Sequence, residues 1–123
     1  MTNQPFEFSG SPFNPIEVGD LARELLASDN VVREGHTART LAKSQGLTVV
    51  LAVVRAGGEI REHAAPGPVT IVPIMGAATF TRPGDADTAV LGVGRTLFIV
   101  PGQKHHVTAD CDSAFLIIIG AQS

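Results

Sequence analysis

Residues 57–76 read GGEIREHAAPGPVTIVPIMG, and the reading of this stretch decides the fold. A short polar run reaches His63, a Pro/Gly turn follows, and the chain then enters an unbroken apolar run. Runs of β-branched residues framed by Gly and Pro read as strands. Residues 95–110, RTLFIVPGQKHHVTAD, answer it: Pro101 stops one strand, and the next carries His105 and His106.

Outward from these two stretches the same punctuation continues. It predicts strands near residues 37–43, 47–55, 59–64, 69–80, 87–91, 95–100, 104–109 and 113–120. Many short strands at nearly even spacing predict an antiparallel sandwich or barrel. Pro73, inside one of them, predicts an edge or a bulge. Residues 47–54, 69–75 and 114–119 are apolar at both parities. A sheet with one face in water would alternate, so these strands need cover on both sides. One cover is the barrel interior; the other is a helix, the Phe-bearing arm or a second subunit. A homodimer packed sheet on sheet is therefore expected, with Ile117 and Ile119 on the shared face. A monomer wrapped by its own arm and helix is the alternative.

On the N-terminal side, residues 1–13 are polar with Phe6, Phe8 and Phe13 among them, and read as an arm without secondary structure that docks on something apolar. Asn14, Pro15 and Glu17 form a helix start. Val18, Leu21, Ala22, Leu25 and Leu26 continue it as one apolar stripe to about residue 27. Gly19 costs this helix about 1 kcal/mol relative to Ala and allows a later start at Asp20. Residues 28–35 read as a linker.

The 123 residues fit one domain, residues 1–36 forming arm and helix and 37–123 the barrel. A net charge of −3, scattered basic residues and the absence of Trp and Tyr give no footprint for nucleic acid. No run reaches the ~20 apolar residues of a membrane-spanning helix. The N-terminus lacks a basic start and an apolar segment, and Cys111 stands alone, so a cytoplasmic protein is expected.

Strand parity selects the candidate site. Residues two apart share a face, which groups Arg61, His63 and Ala65, and likewise Lys104, His106 and Thr108, with His105 facing outward. His63 and His106 are thus the expected pair. Ala65, Val69, Ile71 and Met75 line the same cavity if the strand has no bulge. An apolar cavity with few polar groups suits a small molecule. Arg61 and Lys104 stand nearer its mouth, where they either hold a carboxylate or phosphate or simply reach into water.

At these residues the chain resembles the cupin superfamily. The first motif of that family, G-x5-HxH-x3-E-x6-G, is matched at Gly57, His63 and Gly76; the second, G-x5-PxG-x2-H-x3-N, at Pro101 and His106, with Gly94 and Gly102 each one place away. The resemblance covers about residues 37–120. It implies an all-β, cupin-type double-stranded β-helix, a jelly-roll barrel with a short N-terminal helix and arm. The departures bear on function: Ala65 stands where the family has a second His, Val69 where it has a Glu, and Asp110 where it has the final Asn.

Three functions compete. The first is a cupin barrel binding a small organic ligand, anionic if the basic residues contribute, as sensor or carrier. The second is a metal-dependent enzyme resembling the cupin dioxygenases, decarboxylases and isomerases, with His63 and His106 holding Zn, Fe, Mn or Ni, helped by water or by Glu59. The third is metal-free acid/base catalysis by one imidazole. Ala65 and Val69 at ligand positions favour the first.

Overall fold

The computed structural model describes residues 4–8, 10–85 and 87–121. Ten strands and two helices follow in chain order: β1 (Phe6–Glu7), α1 (Val18–Leu26), α2 (Asp29–Glu34), β2 (His36–Lys43), β3 (Leu47–Val54), β4 (Glu59–His63), β5 (Val69–Met75), β6 (Ala77–Thr81), β7 (Thr88–Gly92), β8 (Leu97–Ile99), β9 (His105–Ala109) and β10 (Ser113–Gly120). They form a six-stranded sheet, β1-β2-β3-β10-β5-β8, and a four-stranded sheet, β4-β9-β6-β7. The double-sheet, mainly antiparallel architecture is the one the strand spacing predicts.

Two apolar clusters explain the strands that are apolar at both parities. Between the sheets, Ala52, Val54, Ile71, Phe80, Val107 and Phe115 form one core. On the outer face of the larger sheet, Leu51, Val53 and Ala114 pack with Ala22 and Leu25 of α1 and Val31 of α2. Each face of β3 therefore has its own cover, and Leu51, Val53 and Val54 are wholly buried. The helices supply most of the second cover. Ile117 and Ile119 pack on the inner core, which corrects their expected place on an outer, shared face.

α1 begins at Val18, with no side-chain cap, rather than at Pro15. Residues 14–17 are all exposed. Short helices owe their stability mainly to a packed face, so this one starts where its apolar stripe starts. The expected linker contains α2, six residues anchored by buried Val31 and ended by Gly35; one apolar contact in a single turn and a half shows no periodicity. The arm pairs in parallel with β2, Phe6 opposite Ala42 and Glu7 opposite Lys43. Only Phe6 gains cover, Phe8 and Phe13 remaining exposed.

The apolar run of residues 69–80 is two strands, parted at Gly76, where the chain passes from one sheet to the other. Gly76 has φ 70, and a Cβ there would stand 2.2 Å from the Asp112 carbonyl oxygen. Only glycine fits both demands. Beside Pro73, β5 carries a bulge: Pro73 lies opposite Phe115, whereas Met75 lies opposite Ala114. Two residues of β5 thus face one of β10, and the strand changes face there. No helix among the described residues is long and apolar enough to cross a membrane.

Candidate ligand-binding site

The register of β4 on β9 builds the site. Ile60 lies opposite Val107, and the next pair is His63 opposite His105, so β4 advances three residues while β9 advances two. This bulge places Ile60 and His63 on the inward face together and leaves Arg61 and Glu62 exposed. On β9, buried His105, Val107 and Ala109 alternate with half-buried His106 and Thr108.

The expected partner of His63 is thereby corrected from His106 to His105. The two rings meet at a centroid separation of 4.3 Å and an interplanar angle of 62°, while His106 pairs with Thr81 on the opposite face of the strand. The physical reason is that Val107 and Ala109 are the apolar residues of β9. Burying them carries His105 inward with them. The G-x2-H spacing counted from Gly102, whose φ of 78 fixes the turn, also reaches His105, whereas the spacing counted from Pro101 reaches His106. The amide of Gly102 donates to the Ala65 carbonyl at 2.8 Å, which ties this turn to the segment after β4.

A cavity of about 260 Å³ lies between the sheets here. Ala65, Val69 and Ile71 line it as the sequence predicts, joined by Ile60, Phe80, Val107, Phe115, Ile117 and Ile119. Met75 does not: the bulge sends it to the outer cluster under the helices. Arg61 and Lys104 are exposed and outside the lining, as is Glu59, which lies opposite outward-facing Thr108. His36 opens β2 opposite Val54, far from the arm's pairing at Ala42 and Lys43, and its buried Nδ1 has no hydrogen-bond partner among the described residues. A groove of about 520 Å³ between β7 and β8 shares Phe80 and His105 with the cavity.

His63 is exposed and stands at the mouth, whereas His105 is 6 % exposed. The Nδ1 of His63 lies 2.8 Å from the Arg61 carbonyl oxygen, and that of His105 lies 3.1 Å from the Gln103 carbonyl oxygen. A carbonyl only accepts, so each Nδ1 carries the hydrogen and donates it. In the neutral rings each Nε2 then bears a lone pair. Burial holds the His105 imidazole below its usual pKa; the Gln103 carbonyl opposes this, and the charges of His63 and His106 add to it.

Carbonyl-anchored imidazoles with free Nε2 lone pairs are a good beginning for a metal site. The set ends there. Ala65 and Val69 contribute hydrocarbon, no Asp, Glu or Cys lines the cavity, and among the described residues no group of three His, Cys, Asp or Glu converges. Stable protein sites use three or four ligands. This donor set does not fit a resident divalent ion.

Phe80 and Phe115 carry no motif that marks them in the sequence, whereas Val107 is marked as the apolar neighbour in parity with His105. Phe80 and Phe115 meet edge to face at 5.1 Å and close the inner wall.

No protein-family model matches this chain, and no curated protein matches it. Solved structures do. A cupin superfamily protein from Desulfitobacterium hafniense is similar with a TM-score of 0.70 at 19 % identity, covering 88 % of this chain and 91 % of that one. An RmlC-like cupin protein from Desulfovibrio desulfuricans gives 0.70 at 22 % identity, covering 88 % and 96 %. A conserved protein of unknown function from Streptococcus pyogenes gives 0.64 at 24 % identity, covering 74 % and 78 %. These likenesses show the fold: a small cupin-type double-stranded β-helix.

Proposed function

We propose that this chain of cupin fold is a binding protein for a small, largely apolar organic molecule, held between the sheets beside His63 and His105 without a metal ion. The observation that carries the reading is a hydrocarbon-walled cavity of about 260 Å³ whose only ionisable lining groups, among the described residues, are two imidazoles. Cavities of this makeup suit small ligands. Ala65 and Val69 widen the apolar wall at the positions where a metal site would need donors. The exposed positions of Arg61 and Lys104 remove the support for an anionic ligand.

The competing reading is a metal-dependent cupin enzyme. Elemental analysis of protein purified without an affinity tag separates the two. The proposal expects Zn, Fe, Mn and Ni far below one ion per chain. Near-stoichiometric metal that disappears in His63→Ala and His105→Ala would overturn it.

The reading includes a homodimer through the outer face of the six-stranded sheet. α1 and α2 cover only part of that face. Half-buried Val72 and Ile118 and 76 % exposed Phe98 lie beyond them, and Ile118 and Phe98 fall in one cross-strand row through Thr70.

A further inference from the structure

The two imidazoles specify what kind of molecule the cavity takes. We infer that the ligand presents a neutral hydrogen-bond donor, a hydroxyl on a hydrocarbon body such as a phenol or short alcohol, to the Nε2 atom of His105, with the His63 ring packed beside it at the mouth. This rests on the small-molecule reading above and goes beyond it by naming the chemical class.

Because Nδ1 of each ring donates to a carbonyl oxygen, at 2.8 Å for His63 and 3.1 Å for His105, the neutral rings offer only an acceptor at Nε2. Two such rings cannot hydrogen-bond each other through these atoms, and their edge-on contact at 4.3 Å includes no hydrogen bond. His63 at the mouth and buried His105 thus line the cavity with rings whose remaining polar atom is an acceptor, beside walls such as Val69, Ile71 and Ile117. No Arg, Lys, Ser, Thr or Tyr side chain lines it among the described residues.

A carboxylate placed there would set its negative oxygens against lone pairs, with no cation to offset the loss of water. A pure hydrocarbon would strip water from the buried His105 ring and leave its Nε2 unpaired. A hydroxyl satisfies an acceptor and leaves the rest of the molecule on hydrocarbon. A site built around a hydrogen bond rejects the analogue that lacks it more strongly than an apolar pocket rejects a change of size.

Three probes of nearly one shape test this: p-cresol, toluene and p-toluate, titrated into the full chain at pH 7.5 with and without EDTA. Binding of p-cresol is expected to be about tenfold or more tighter than binding of toluene, although water solvates the cresol better; one buried hydrogen bond supplies a difference of that order. Toluate is expected to be the weakest, and EDTA to change nothing. His105→Phe removes the deep acceptor and is expected to erase the preference for cresol while toluene still binds. His63→Phe, at the exposed mouth where folding is not at stake, is expected to reduce that preference.

Equal binding of toluene and cresol would overturn the donor class while leaving the cavity reading in place. Tightest binding of toluate, or binding lost in EDTA, would also overturn it. If none of the three binds, the small-molecule reading falls and this inference falls with it.

Discussion

His105 is where residue chemistry and fold constrain each other most closely. Its burial and its contact with His63 hold the imidazole below the usual value near 6.5, despite the Gln103 carbonyl. In the unfolded chain the ring takes a proton near that usual value; in the folded chain it resists until lower pH. Between the two values the unfolded state binds more protons, so this contribution is full above about 6.5 and is lost as pH falls toward the folded value. Urea unfolding from about pH 7.5 to 5 is expected to show stability falling across that window, with a shallower fall in His105→Gln. An unchanged slope in the variant would contradict the buried neutral ring. At this scale the sequence was legible for His63, Ala65, Val69 and Ile71 but misleading for His106. Motif spacing counted from Pro101 competed with the apolar parity of Val107 and Ala109, and burial of the apolar pair decided the outcome.

Among the elements, the bulges and the sheet crossing do the positioning. A bulge on β4 turns His63 inward and Arg61 out; a bulge on β5 removes Met75 from the cavity. Pro73 announced the second bulge, because a proline cannot complete the ladder. Nothing in EIREH announced the first, since bulges leave composition unchanged and shift only parity. The crossing at Gly76 is open to measurement. Gly76→Ala is expected to cost roughly 1–3 kcal/mol for the left-handed backbone alone, with a further loss because the new methyl would meet the Asp112 carbonyl. Gly102→Ala, at φ 78 with nothing within 4 Å of its Cβ, is the comparison that carries the backbone cost only. Equal losses would show that close packing at the crossing contributes nothing. The short helix α2 and the arm strand β1 stayed illegible for a different reason: six residues and two residues are too few to display a period.

For the whole molecule, the predicted double cover of the central strands is real: the four-stranded sheet covers one face, and α1 with α2 covers part of the other. What they leave uncovered argues for assembly. If Ile118 and Phe98 lie in an interface between copies, the native chain sediments at twice its own mass, and Ile118→Glu or Phe98→Glu gives a folded monomer. Sedimentation of the native chain at one chain mass, even when concentrated, would contradict the dimer. The overall architecture was legible because Gly, Pro and apolar runs encode strand boundaries directly. The contents of the cavity were not, because they depend on which parity each strand turns inward.

The most direct measurement is a map of methyl and amide chemical shifts as p-cresol is added to the isotopically labelled chain. Ile71, Val107 and Ile117 are expected to shift together with His105, Leu116 and Ile118 on the other face of β10 to stay still, and Ile71→Trp, which fills the cavity, to abolish the changes. Shifts confined to the outer face, or unaffected by filling the cavity, would contradict binding between the sheets.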